Sequence, residues 1–509
     1  MDKYEALKRY FGHKTFRDGQ EKLVDSILSG RDVLGIMPTG AGKSVCYQLP
    51  CILMNGITFV ISPLISLMKD QVDSLRQIGV PAAYINSSLT PWQQTEALRR
   101  ASLGAYKIIY VAPERLAVPE FMAFASKADA AMVTVDEAHC ISQWGQDFRP
   151  SYLKIADFIS ALPKRPIVSA FTATATSEVK SDIIRLLGMK DPVSVTTSFD
   201  RPNLYFEVRK PRDKYAELTS ILSHRCTESG IVYCSTRKLV EEVCERLCAD
   251  GYSASRYHAG LSPQERANNQ ADFIYDRCRV MVATNAFGMG IDKSNVSYVI
   301  HYNMPKDIES YYQEAGRAGR DGSPADCILL YSGSDVMLNK WLIENSKEMS
   351  EELTEAERIS VEKKNKERLR QMTFYSTTKD CLRRFMLRYF DETAPYSCHN
   401  CGNCRAHTVT AGAAAKNYFA PEKAKEVSAA KPEDTALLAE LKKVRNRIAK
   451  ERGIPAYVIF TDATLSDMCE KMPLTDDEFL QVSGVGAAKL KRYGARFLKA
   501  IKDYQESNF

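Results

Sequence analysis

Residues Pro38-Thr39-Gly40-Ala41-Gly42-Lys43-Ser44 directly follow the apolar run Val33-Leu34-Gly35-Ile36-Met37. A strand that ends in such a loop and opens a helix presents backbone N–H groups to phosphate, because glycine lets the main chain approach the oxygens closely. Lys43 is placed to pair with β- and γ-phosphates and the Ser44 hydroxyl to ligate magnesium, with Thr39, Gly40 and Gly42 in the cradle. Met37 stands where the usual pattern has its first glycine. About a hundred residues later, Asp136-Glu137-Ala138-His139 follows the run Ala131-Met132-Val133-Thr134-Val135. Asp136 is expected to hold magnesium through water, and Glu137 to orient or deprotonate an attacking water. A lone acidic pair more often caps a helix. Two strand-end motifs of opposite charge supply the phosphate cradle, metal site and water activator that phosphoryl transfer needs, which predicts an ATP-hydrolysing motor.

Two further clusters carry chemistry. In Tyr311-Tyr312-Gln313-Glu314-Ala315-Gly316-Arg317-Ala318-Gly319-Arg320, the arginines three residues apart share a helical face. Beside a phosphate loop they read as arginine fingers that stabilise transition-state charge from a second domain. Cys398, Cys401 and Cys404 are spaced by two residues each, with Cys381 at a helix start upstream. Four thiolates fill a tetrahedral zinc shell and leave no open position, so the metal is expected to fold the chain and not to hydrolyse. Cys244 and Cys248 share a helical face without further partners and read as packed thiols.

The elements that must position these groups are α/β. Up to about residue 200, apolar runs at Asp32–Met37, Thr58–Ser62, Ile108–Ala112, Met132–Val135 and Val168–Phe171 alternate with helical patterns, the signature of a covered parallel sheet. Residues 201–340 repeat it with Ile231–Cys234, Val280–Ala283 and Val296–His301, without a phosphate loop. Residues 341–407 read as a helical zinc-binding module, 408–432 as an Ala- and Lys-rich linker, and 433–509 as a small all-helical domain. A length of 509 residues allows three or four such units. No stretch of eighteen apolar residues occurs and the N-terminus lacks a signal-peptide core, so no membrane span and an intracellular location are expected. The net charge of +6 permits a nucleic-acid partner without demanding one.

Taken together, Phe11 to Gln20, Ser62 to Gln71, Asp136 to Pro150, Phe171-Thr172-Ala173-Thr174-Ala175 and the Arg317/Arg320 motif resemble the RecQ family of DNA helicases, in the family's order and over most of the chain. The resemblance implies two RecA-like lobes and ATP-driven unwinding of DNA with 3′ to 5′ polarity, in recombination and repair. It implies that Arg17 and Gln20 frame the adenine and that Gln313 joins the nucleotide contacts, with His13 where an aromatic often stacks on the base. Trp144, Phe148 and Arg149 resemble the family's DNA-sensing aromatic loop; stacking on single-stranded bases suits them. Thr236 and Arg237 resemble a backbone-phosphate clamp, and the last segment resembles the helicase-and-RNase-D C-terminal domain, with Tyr457 available for stacking. Lys442, Lys443, Arg445, Arg447 and Lys450 are candidates for a phosphate-facing surface there.

The implied ligands are ATP, Mg2+ and Zn2+, and the implied partners are single-stranded and forked or tailed duplex DNA, with single-strand-binding protein and topoisomerase by family resemblance. A monomer is expected, nucleoid-associated in a bacterial cytoplasm or nuclear in a eukaryote. The interval from Arg405 to Pro432 is too short for the winged-helix domain that such proteins commonly carry. Two rivals follow: an RNA helicase, and a translocase or scaffold that unwinds weakly.

Overall fold

The computed structural model describes residues 1–142, 145, 148–287, 293–345, 355–406 and 435–508. The apolar runs of the first 200 residues become strands β1 (Val33–Ile36), β2 (Ile57–Ile61), β3 (Ala82–Ile85), β4 (Ile108–Val111), β5 (Ala130–Val135), β6 (Ile167–Thr172) and β7 (Val193–Thr196). They form one sheet of order β3-β4-β2-β5-β6-β1-β7 with every neighbouring pair parallel. Parallel pairing forces each connection to cross a face, and helices such as Lys43–Leu53, Ile65–Gln77 and Pro91–Ser102 make the crossings. In the core, Phe59 meets Phe121, Phe124 and Phe158 edge-on at 5.8, 6.1 and 5.8 Å. Each such ring, once buried, contributes roughly 1.5–3 kcal/mol.

Strand order also decides where chemistry can occur. β6 lies between β5 and β1, with Ile36 opposite Thr172 and Val135 opposite Ala170. The phosphate loop after β1 and the acidic pair after β5 therefore flank Thr172, at the carboxyl ends where open α/β sheets bind ligands.

The second lobe contains β8 (Leu204–Arg209), β9 (Ser229–Tyr233), β10 (Ala254–Tyr257), β11 (Val280–Ala283), β12 (Val296–His301) and β13 (Ala325–Leu330), all parallel in the order β10-β11-β9-β12-β13-β8. Helices Gly333–Glu344, Glu355–Thr377 and Leu382–Tyr389 form the platform that carries the cysteines. The expected boundary at 340 falls inside the first of these helices. Phe199, between the lobes, stacks on Phe390 of the platform at 4.4 Å and meets Tyr312 of lobe 2 at 5.8 Å. The C-terminal helices pack around fully buried Phe460, ringed by Phe479, Tyr493 and Phe497. The expected linker, 408–432, lies outside the described residues.

The expectation of a phosphate-facing surface is corrected at Arg445, whereas Lys443, Arg447 and Lys450 are exposed. Arg445 is buried, donates to the Phe460 carbonyl at 2.8 Å and pairs with Asp462 at 2.6 Å, while Lys442 reaches the same carboxylate at 3.1 Å. Asp462 thus holds two of the five cations proposed to face phosphate, and Lys443 lies 3.1 Å from Glu440.

Candidate functional site

The phosphate loop turns through Gly40 and Gly42, both in the left-handed region at φ 86° and 84°. The positive φ favours glycine at position 42, and a β-carbon there would lie 2.5 Å from Gln20 Nε2 and displace that side chain from its bonds to the loop. Gln20 is buried and its amide is spent on the loop: Nε2 donates to the Ala41 and Gly42 carbonyls at 3.0 and 3.2 Å, and Oε1 accepts from Arg17 N–H at 2.9 Å. Arg17 Nη1 donates to the Gly40 carbonyl at 2.6 Å. Both residues expected at the base therefore brace the phosphate loop in this conformation.

Asp136 follows β5 directly and its N–H donates to the Ile61 carbonyl at 2.8 Å. Glu137 then adopts φ 47°, ψ 47°, a left-handed conformation that costs a non-glycine residue about 1–3 kcal/mol and is found chiefly where function demands it. The two carboxylates are driven apart in acidity. Burial, then the neighbouring Glu137 charge, pushes Asp136 up to about 7, whereas Glu137 is held low because Lys43, His139, Arg317 and Arg320 together outweigh its burial. The surrounding cations thus favour the ionised form of Glu137, while burial disfavours that of Asp136, so the two carboxyls differ in acidity.

His139 Nδ1 lies 2.8 Å from Thr172 Oγ1 and 3.4 Å from Glu137 Oε2. Thr172 Oγ1 donates to the Thr174 carbonyl at 3.0 Å, and Thr174 Oγ1 accepts from Gln313 Nε2 of lobe 2 at 3.3 Å. Hydrogen bonds to the carbonyl and to the hydroxyl of Thr174 therefore connect His139 of the acidic motif, through Thr172, with the second lobe. Lobe 2 closes on lobe 1 at Gly316, where a β-carbon would stand 2.8 Å from Thr39 Oγ1.

These parts surround one cavity of about 430 Å3, lined by Arg17, Thr39, Gly40, Gly42, Lys43, Ser44, Asp136, Glu137, Gln313, Arg317 and Arg320. Among the described residues, Lys43 Nζ, Thr39 Oγ1 and Arg317 Nε are buried in it without a hydrogen-bond partner. Buried donors left unpaired cost about 1–3 kcal/mol each, and their convergence with a phosphate loop fits a polyanionic ligand. Its remaining wall comes from the C-terminal domain, through Thr461, Thr464, Ser483, Gly484 and Lys489. Lys489 was not singled out from sequence. Its ammonium is pushed down to about 8 by burial alone. Its charge, after burial and Arg17, also lowers His13.

That wall is set by close backbone contact. Gly484 N–H donates to the Gly12 carbonyl at 3.1 Å, and Lys14 Nζ to Gln481 Oε1 at 2.5 Å. On the other lobe, Tyr275 Oη donates to the Gly453 carbonyl at 3.0 Å.

Among the DNA candidates, Trp144 lies outside the described residues. Phe148 is half-buried, and Arg149 Nη1 donates to the Pro63 carbonyl at 3.2 Å, tying this loop to the segment after β2. Thr236 caps helix Arg237–Ala249 by accepting from Leu239 N–H at 3.2 Å. Tyr457 lines a separate cavity of about 1070 Å3 among both lobes and the C-terminal domain, with Lys69, Tyr257 and Arg492.

The four cysteines converge. The sulfurs of Cys381, Cys398, Cys401 and Cys404 all lie within 4.8 Å of one another, with Cys398–Cys404 and Cys381–Cys401 at 4.0 Å. A tetrahedral shell with bonds of about 2.3 Å has sulfurs roughly 3.8 Å apart, so the donor set fits zinc. Backbone N–H groups of Arg384 and Asn400 donate to Cys381 and Cys398 at 3.4 Å, which suits thiolate ligands.

Comparison with known proteins matches these parts in order. Residues 17–182 match the DEAD/DEAH box helicase model, 213–322 the helicase conserved C-terminal domain, 333–405 the RecQ zinc-binding model and 434–501 the HRDC domain. The chain is 40% identical to ATP-dependent DNA helicase RecQ of Bacillus subtilis over 98% of both chains. It is 34% identical to ATP-dependent DNA helicase RecQ of Haemophilus influenzae over 98% of this chain and 96% of the other. The Bacillus alignment runs over 588 positions, whereas 98% of 509 residues is about 499, so some ninety positions of the relative have no counterpart here. A solved structure of Saccharomyces cerevisiae Dbp5 bound to RNA and ADP BeF3 shares the fold, with a TM-score of 0.54, 18% identity and 72% of this chain covered against 96% of the other.

Proposed function

We propose, from the premise that this chain belongs to the RecQ family of DNA helicases, that it couples ATP hydrolysis to 3′ to 5′ movement along one DNA strand and to separation of the duplex ahead. It is an ATP-dependent DNA helicase by that membership. The polarity, the residue roles and magnesium are our reading. The observation that carries the mechanism is the single cavity in which Lys43, the acidic pair and Arg317/Arg320 meet across two lobes. Lys43 and the loop N–H groups bind the phosphates, Glu137 takes a proton from the attacking water, and the arginines of lobe 2 stabilise the charge that develops on the transferred group. Asp136 and Ser44 would hold magnesium, which when bound neutralises phosphate charge. Because the arginines sit on lobe 2, ATP draws the lobes together and hydrolysis releases them. The path His139–Thr172–Thr174–Gln313 offers a route by which each lobe registers the other. Zinc would be held by the four cysteines and supply folding energy.

The ninety positions without counterpart match the size of a domain, and residues 406–433 are all that separate the zinc-binding and HRDC matches. We read this as loss of the winged helix, with strand separation left to the lobes, platform and C-terminal domain. Single-strand-binding protein and topoisomerase are proposed partners in recombination and repair, where the chromosome lies.

The test is unwinding of a 3′-tailed duplex beside its 5′-tailed twin, in ATP and magnesium. Separation of the 3′-tailed substrate alone is expected. ATPase activity stimulated by single-stranded DNA without separation of either would make the protein a translocase, and stimulation by RNA in preference to DNA would make it an RNA helicase.

A further inference from the structure

We propose that Arg201 is a positioning residue for phosphoryl transfer, which fastens the arginine-bearing loop of lobe 2 against the phosphate loop of lobe 1. Arg201 lies in Asp200-Arg201-Pro202-Asn203, the segment that leaves β7 and enters β8, so it belongs to the connection between the lobes. Its guanidinium makes four hydrogen bonds, all to backbone carbonyls. Nη1 donates to Gly316 at 2.7 Å and Thr39 at 3.3 Å, and Nη2 to Ala318 at 3.0 Å and Gly319 at 2.6 Å.

The placement of those acceptors gives the role. Gly316, Ala318 and Gly319 follow the helix Ile308–Ala315, where carbonyls lack helical partners and the dipole is negative. Gly316 and Ala318 flank Arg317, and Gly319 precedes Arg320, so one planar fork fixes the backbone on both sides of Arg317 and directly before Arg320. The fourth acceptor, Thr39, is in the phosphate loop itself. An arginine fork can hold carbonyls on two lobes at once, whereas the single ammonium of lysine cannot reproduce that geometry. Asn203 continues the clamp, donating from Nδ2 to Gly319 and Ser323 carbonyls at 2.9 Å each.

The connection is itself gripped from the zinc module. Arg383, two residues past Cys381, donates to Asp200 Oδ1 and the Arg201 carbonyl at 2.5 and 2.7 Å, and Asn400, between Cys398 and Cys401, donates to the Pro202 carbonyl at 3.1 Å. The thiol cluster thereby sets the anchor of Arg201 as well as its own fold. Of the four guanidinium contacts, only the bond to Thr39, the longest, crosses to lobe 1. It must break when the cleft opens, while the three bonds to lobe 2 travel with it.

This inference rests on the reading of Arg317 and Arg320 as transition-state arginines, and the experiment separates the two. Arg201→Lys, Arg201→Ala, Arg320→Ala and the Arg201→Ala/Arg320→Ala double variant are assayed for DNA-stimulated ATPase, for melting temperature, and for binding of ADP and of ADP with aluminium fluoride. Since an ångström of misplacement costs on the order of 10²-fold, both Arg201 variants are expected to lose about a hundredfold in kcat. ADP affinity stays within about twofold, the aluminium fluoride complex weakens in step with kcat, and the double variant is no more than about twofold slower than Arg320→Ala, because the two act as one unit. Multiplying losses in the double variant, or wild-type kcat in both Arg201 variants while Arg320→Ala is slow, would overturn the positioning role. Wild-type kcat in Arg320→Ala would overturn the arginine-finger reading first. If Arg201→Ala does not fold, Arg201→Lys, which keeps the charge and loses the fork, decides the outcome through the same kcat and aluminium fluoride readouts.

Discussion

Gly486→Ala is expected to detach the C-terminal domain from the nucleotide pocket without harming either fold. Gly486 has φ −97° and ψ 167°, which any residue adopts, so alanine adds no backbone strain within its own domain. The new methyl would instead stand 2.9 Å from the Arg9 carbonyl, 3.5 Å from the Lys8 carbonyl and 3.6 Å from Gly12 N, all across the interface. The first distance is well inside ordinary carbon–oxygen contact and the obstacle is backbone, so the domain has to withdraw. Overpacking of this kind costs about 1–3 kcal/mol, and withdrawal also strains the Gly484–Gly12 hydrogen bond, worth about 1 kcal/mol net. A total of about 2–4 kcal/mol lowers the docking constant roughly 30- to 900-fold. A fluorophore pair on lobe 1 and the C-terminal domain should report separation, while the melting temperature of the two lobes is unchanged. The apparent KM for ATP should rise severalfold as Thr464, Ser483 and Lys489 leave the cavity wall, and kcat should persist because Lys43, Glu137 and Arg320 are untouched. Unchanged energy transfer would refute the steric argument. Separation with an unchanged KM would refute the domain's place in the nucleotide site.

Glu137→Gln keeps the side chain's size but removes the base, so ATP should still bind while turnover falls about 10²- to 10⁴-fold, measured by single-turnover hydrolysis beside nucleotide titration. Lys489, pushed down to about 8 by burial, is charged below that pH and neutral above it. If it faces the nucleotide's negative charge, log KM for ATP stays flat up to about pH 8 and rises above it, and the rise disappears in Lys489→Gln; an identical profile in that variant would remove Lys489 from the site. Cys401→Ser breaks the thiolate shell and should lose bound zinc by atomic absorption and lower the melting temperature, since structural zinc is folding free energy. Full metal content in that variant would contradict the four-thiolate assignment.

Several parts of this architecture were legible as residues because their physics is local. Five runs of the first lobe and three of the second are buried on both faces, which writes them as continuous apolar segments, and each became a strand. Of the strands that escaped notice, three are short and lie at sheet edges, Leu204–Arg209 is an edge strand carrying polar residues, and Ala325–Leu330 is a buried interior strand whose apolar run is confined to its second half. Ala254–Tyr257 and Val193–Thr196 sit at sheet edges and are only half-buried, so selection for apolar residues is weak there. Ala82–Ile85 is only four residues long and forms the other edge of the first sheet. The phosphate loop, the acidic pair and the cysteines announce themselves by spacing along a few residues. Arg201 does not, because its partners lie more than a hundred residues away: an arginine in a polar connection looks like any solvated cation until the carbonyls of Thr39 and Gly316 are brought to it. Asp462 had the opposite effect, since one carboxylate of the helix Asp462–Lys471 engages two cations of an apparently basic helix.

The nucleotide cavity draws walls from lobe 1, lobe 2 and the C-terminal domain, and the zinc module grips the connection that carries Arg201. A pocket assembled this way cannot bind its ligand without acting on the parts that enclose it. If docking of the C-terminal domain tightens ATP by some factor, ATP must tighten docking by the same factor. The wild-type docking constant obtained from the energy-transfer signal should therefore rise on addition of nucleotide, by the ratio that undocking through Gly486→Ala takes from ATP affinity in a binding assay. A severalfold ratio corresponds to about 1 kcal/mol of coupling. Agreement of the two ratios would establish that the C-terminal domain closes over ATP as part of the cycle. A change in ATP affinity with docking that nucleotide leaves unmoved would break the thermodynamic square, and would mean that Gly486→Ala alters the pocket by another route.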